Sequence, residues 1–204
     1  MGRFSILSLK DISEKIHMYI EISRVGEISR RYFVMNAFDG LLTIIGVIMG
    51  SFISGVNSSK IIIGTGIAAS WAMGVSGFIG ALITEKSERE RKVKDIEKAI
   101  LTQLNGSILE KAERFAVLVA ALIDGLSPLL VSFISISPLF LSLYNLISLY
   151  HSLVLSLFIS IFLLFVLGLY LGKNARGNIL YYGAIMVIAG IIVAITSTLI
   201  GEKI

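Results

Sequence analysis

No cysteine occurs among the 204 residues. Disulfides, thiolate zinc sites, iron–sulfur clusters and c-type haem attachment are excluded, and cysteine usage says nothing of the compartment. Charge is also scarce, at 16% of residues against about 25% in soluble domains. The two histidines, His17 and His151, have no second ligand at metal-binding spacing. No phosphate-binding loop, Walker motif or nucleophile–base arrangement is present. Neither enzyme chemistry nor a resident cofactor is therefore expected.

What fills the chain instead is apolar. Hydrophobic residues make up 55%, and the mean hydropathy is +0.88. Residues 61–84, 140–172 and 177–201 pass without Asp, Glu, Lys or Arg. Each run exceeds the roughly 20 residues that a helix needs to cross a hydrocarbon core. A soluble enzyme, a nucleic-acid binder and a disordered chain are excluded. The net charge of +4 comes from Lys and Arg beside apolar runs, which fits orientation and anionic lipid better than nucleic acid. Residues 1–31 mix polar and apolar positions without a compact apolar core, unlike a cleavable signal.

The expected fold class is all-α, a polytopic membrane protein with five transmembrane helices near 33–56, 61–84, 115–137, 146–172 and 179–200. Residues 1–32 form a cytoplasmic or interfacial region, and 33–204 the transmembrane domain, which includes a helical extension over 85–114. Six Lys and Arg precede the first span, eight lie between spans two and three, and Lys173 and Arg176 follow span four; only Lys60 and Lys203 lie on the other side. That bias places the N-terminus in the cytoplasm and disfavours a dual-topology assembly. Ser8 and Asp11 have capping-box spacing, and residues 8–31 are expected to lie on the cytoplasmic leaflet as one amphipathic helix. Span two is expected to continue as helix to Leu104 and to stop at Asn105-Gly106, with Ser107 and Glu110 as a second capping box. Asp39-Gly40-Leu41 recurs as Asp124-Gly125-Leu126, which suggests a duplicated helical hairpin plus one helix.

Asp39 and Asp124 are the only carboxylates within the five expected spans. Each costs about 2.5–3.5 kcal/mol to insert, and such residues usually mark an ion or proton path. A protonated carboxyl hydrogen-bonded inside the bundle is the plainer alternative. Pro128 cannot donate to the Asp124 carbonyl, which leaves a free oxygen beside a carboxylate. Thr43, four residues after Asp39, adds a hydroxyl that can ligate a cation or bend the helix. Span two is rich in small residues, and its Gly66, Ser70, Gly74 ladder allows close helix approach. Met73 is either packing or a thioether facing an aspartate, a donor set suited to a borderline metal such as Fe²⁺. Glu85 with Glu88, and Glu110 with Glu113, are pairs at i, i+3 just outside spans two and three. They would gather metal at the cytoplasmic mouth, although a solvated charged helix with interleaved Lys86, Arg89, Lys111 and Arg114 looks the same.

Residues 36–47, Asn-Ala-Phe-Asp-Gly-Leu-Leu-Thr-Ile-Ile-Gly-Val, resemble the first-span motif of the vacuolar iron transporter family. Ala72-Met73-Gly74, the charged helix after span two and the glycines of the last span are also similar. The resemblance implies a five-helix homodimer that moves Fe²⁺, and often Mn²⁺, out of the cytosol against protons. It implies that Asp39 and Met73 line the pathway and that glutamates between spans two and three gather metal. The chain departs from the family at Ser76-Gly77-Phe78, where Gly-Glu-Tyr is common, and at Tyr32, where many members are acidic. Its 85–114 connection is short, as in a divergent branch. The expected partners are a divalent metal ion, membrane lipid and a second copy, with no nucleic acid. The expected location is a prokaryotic cell membrane, or a vacuolar-type membrane in a eukaryote. Two rival readings stay open: a proton- or sodium-coupled transporter of another small substrate, and a membrane scaffold or assembly protein.

Overall fold

The computed structural model describes residues 3–175, 177–201 and 203, with side chains from Ser13 onward. Every regular element among them is helical: α1 (Arg3–Ser23), α2 (Val25–Ile53), α3 (Ser59–Ile100), α4 (Ile108–Leu143), α5 (Leu149–Asn174) and α6 (Ile179–Gly201). Helices α2 to α6 are long and apolar enough to cross a membrane. The protein is an integral, multi-pass membrane protein. At 1.5 Å per residue the 42 residues of α3 extend about 63 Å, twice a hydrocarbon core.

Two helix ends differ from the sequence expectation. Residues 8–31 do not form one interfacial helix, because Arg24 takes a left-handed conformation (φ 50°) that ends α1. The Glu27 N–H then bonds the Arg24 carbonyl at 3.2 Å, and residues from Val25 already belong to the first spanning helix. Helix α3 stops at Ile100, short of Leu104, since Leu101 is also left-handed (φ 53°). Such residues are hard to foresee, because that conformation ordinarily selects glycine or asparagine. Helix α1 begins at Arg3, ahead of Ser8, and the Ser8 and Asp11 side chains lie outside the described residues.

The Ser107 cap is present. The Ser107 Oγ accepts the Glu110 N–H at 3.1 Å, while Glu110 Oε2 reaches back to the Gly106 N–H at 2.6 Å. Asn178 caps α6 in the same manner, its Oδ1 accepting from Leu180 at 3.1 Å.

By internal contacts the chain divides into two compact units. One comprises Met1–Tyr32 with Gly77–Asp124, and the other Phe33–Ser76 with Gly125–Ile204. In the second unit α2 turns Val34, Ala37, Leu41, Ile44, Ile45 and Ile48 inward, the spacing of one helical face. Val131, Leu164 and Leu167 join one end of this core; Ile62, Ile63, Ile136, Leu139 and Leu153 join the other. Helices α2 and α4 meet so closely that a Cβ on Gly40 would stand 2.8 Å from the Pro128 Cα. In the first unit α4 presents the buried alanines 112, 116 and 120, and Tyr19 of α1 rests against Phe115 at 5.8 Å between ring centroids.

Candidate metal centre

In the second unit, Asp39, Thr43 and Met73 fall together. Thr43 is one turn after Asp39 on the same face of α2. Its hydroxyl donates to the Met73 sulfur across 3.3 Å, which ties α2 to α3. Thr43 and Met73 are half-buried, whereas Asp39 is exposed. Met35, a turn earlier on the same stripe, is 55% exposed. A carboxylate thus lies open on a span whose surroundings are apolar, one helical turn before the hydroxyl that holds the thioether.

Asp124, in the first unit, stands in the opposite environment, only 5% exposed. A Cβ on Gly77 would meet both the Asp124 carbonyl oxygen and its Oδ2 at 3.3 Å. The carbonyl oxygen and the carboxylate of Asp124 therefore both approach the bare backbone of Gly77. The two Asp-Gly-Leu copies are not equivalent. Leu41 is 1% exposed beside an exposed Asp39, while Leu126 is 50% exposed beside a buried Asp124.

The small-residue ladder of α3 serves close packing within the second unit. A Cβ on Gly74 would lie 2.7 Å from the Gly125 carbonyl oxygen, and one on Gly66 would touch Ile44 and Ile136 at 3.4 and 3.5 Å.

The four glutamates of the 85–114 connection separate into distinct settings, all within the first unit. Glu85 and Glu113 are buried, at 6% and 2% exposure. Arg89, itself 5% exposed, lies between them. Its Nε donates to Glu85 Oε2 at 2.9 Å and its Nη1 to Glu113 Oε2. Lys92 donates to the other oxygen of Glu113, and the Tyr32 hydroxyl donates to Glu85 Oε1 at 3.0 Å. Glu110 is committed to the Gly106 N–H and to Arg114 at 2.6 Å, and Glu88 is exposed along an open groove with Arg91, Lys92 and Asp95. Among the described residues no three acidic or histidine side chains are grouped so as to hold a metal ion.

Arg89 and Ser23, whose carbonyl accepts from Arg89 at 3.5 Å, do not stand out as site residues in the sequence, and Tyr32 does so only as a departure from the acidic residue common in the resembling family. The one available signal is spacing, since Glu85 and Arg89 are an i, i+4 pair in the favourable order. Spacing alone does not tell a buried pair from the solvated ones nearby, such as Lys86–Glu90 at 3.9 Å.

Comparison with known proteins agrees with this architecture. Residues 30–110 match the VIT family, a stretch that includes Asp39, Thr43, Met73, Glu85 and Arg89. An uncharacterized protein of Methanocaldococcus jannaschii is 33% identical over 173 residues, 83% of this chain and 87% of that protein. No solved structure matches. With the five-span helical fold, these similarities establish that the chain belongs to the VIT family of membrane metal-ion transporters.

Proposed function

We propose that the protein exports Fe²⁺ or Mn²⁺ from the cytoplasm in exchange for protons. The observation that carries this reading is the open face of α2, where the exposed Asp39 carboxylate stands one turn from the Thr43–Met73 pair. An exposed aspartate in an apolar span is costly unless a cation, an aqueous path or another subunit meets it. Carboxylate and hydroxyl oxygens suit a hard divalent ion, and the thioether shifts preference toward the borderline metals. Asp124 acts as the second carboxylate, bound to metal in one step and protonated in another. Glu88 and Glu110 attract metal at the cytoplasmic mouth, and Glu85 and Glu113 take it once the cations paired with them give way.

The functional particle in this reading is a homodimer in a prokaryotic cell membrane. The exposed small residues of α3 (Gly64, Ala68, Ala72, Ser76 and Gly80) recur every fourth position, a pattern that favours helix contact in lipid.

Flux of Mn²⁺ and Fe²⁺ into proteoliposomes under an imposed proton gradient tests the proposal, with Asp39→Asn as control. Gradient-dependent flux that the variant abolishes supports it. Absence of flux for both metals in folded, inserted protein overturns it, in favour of another substrate or a scaffold role. Normal flux in Asp39→Asn would remove Asp39 from the path.

A further inference from the structure

The buried pair Glu85 and Glu113 already has its counter-charge. Two carboxylates face two cations, Arg89 and Lys92, so the cluster is formally neutral. A divalent cation added to it would leave two positive charges uncompensated in a buried place, which desolvation makes prohibitive. Metal can reach these carboxylates only by replacing the cations that hold them.

The two cations are unequal in this respect. The Lys92 side chain is 52% exposed and reaches Glu113 from the outside, so it can return to water readily. The Arg89 side chain is 6% exposed, and its Nη2 is buried with no hydrogen-bond partner among the described residues. A buried donor without a partner is uncommon and has lost its water bond without replacement. The inward position of Arg89 is thus sustained by the two carboxylates and the Ser23 carbonyl, with one donor group unused.

We propose that Arg89 is a tethered rival of the transported cation. It holds Glu85 and Glu113 as a closed pair, and a divalent metal occupies that pair only when the guanidinium swings out. The idea rests on the metal-transport reading above and assigns Arg89 a positioning role rather than a ligand role. Departure of Arg89 also frees the carbonyl of Ser23, the last residue of α1, next to the left-handed Arg24 that joins α1 to α2. Metal capture thereby loosens the joint between these helices.

The test is Mn²⁺ binding to the full-length protein in detergent, read by electron paramagnetic resonance. Three forms are compared: wild type, Arg89→Gln, and Arg89→Gln combined with Glu85→Gln and Glu113→Gln. If the closed pair accounts for nine-tenths of the molecules or more, Arg89→Gln tightens binding roughly tenfold or better, and the triple variant loses that gain. Wild-type affinity in a folded Arg89→Gln protein overturns the proposal, as does a gain that survives removal of both glutamates. Should Arg89→Gln fail to fold, hydrogen exchange on the wild type decides. Saturating Mn²⁺ must then raise exchange at amides 19–24, and unchanged or slower exchange there overturns the proposal. Transport stands apart from this outcome: flux in wild type with no effect of Arg89→Gln sinks the rivalry alone. A glutamate-dependent gain without flux sinks the transport reading and leaves the rivalry standing.

Discussion

The hydroxyl of Thr43 on α2 donates to the sulfur of Met73 on α3 at 3.3 Å. This bond ties the thioether to the residue one turn after the exposed Asp39. A methionine has three rotatable bonds and adapts to many surroundings, so a hydrogen bond that holds its sulfur in place is a specific feature of this site.

Thr43→Val keeps the shape of the side chain and removes the donor. If the bond orients a metal-binding sulfur, the variant should lose roughly tenfold in apparent Fe²⁺ affinity, the lower end of what orienting partners contribute. Met73→Leu should reduce Fe²⁺ transport more than Mn²⁺ transport, because Mn²⁺ depends less on a soft donor. Competition between the two metals in proteoliposomes checks both.

Asp124→Asn retains size and polarity but cannot exchange a proton. Mn²⁺ flux in this variant should no longer respond to an imposed pH gradient, while the protein stays folded. Gradient-dependent flux in the variant would show that the coupling proton is carried elsewhere.

Close helix approach makes a paired prediction. Gly40→Ala sets a methyl group 2.8 Å from the Pro128 Cα, which is backbone and cannot step aside, and should cost about 1–3 kcal/mol by overpacking. Gly50→Ala meets nothing within 4 Å and should be neutral or stabilising by up to about 1 kcal/mol, the helix preference of alanine over glycine. Thermal melting in detergent separates the two.

The glutamates of the 85–114 connection should divide by burial. Glu113→Gln breaks a buried pair with Arg89 and should destabilise by about 3 kcal/mol. Glu88→Gln changes an exposed side chain and should stay within about 0.5 kcal/mol. Equal melting temperatures for the two variants would contradict the buried network.

Ser107→Ala removes the oxygen that accepts the Glu110 N–H and should cost about 1 kcal/mol. The loss should appear as faster hydrogen exchange in the first turn of α4 rather than across the chain.

Much of this protein is legible in its amino-acid order. Apolar runs of about 20 residues have one stable form in lipid, a helix that satisfies its own backbone, so the five spans follow from composition and length even where one carboxylate interrupts the run. The Ser107–Glu110 cap is legible because its partners are three residues apart. Asp39 and Asp124 are visible as isolated carboxylates in apolar surroundings, and the close approach of α3 to a neighbour follows from its glycines. Tertiary structure alone decides that Asp39 opens outward while Asp124 is buried, since identical tripeptides carry no record of which neighbours cover them. It likewise decides where α1 and α3 end, at Arg24 and Leu101, because neither residue type favours the left-handed conformation it takes there. Above all it places Arg89 between Glu85 and Glu113. Spacing along a helix determines which charges share a face, but only the arrival of α4 and the end of α1 removes that face from water and turns a surface ion pair into a buried clamp.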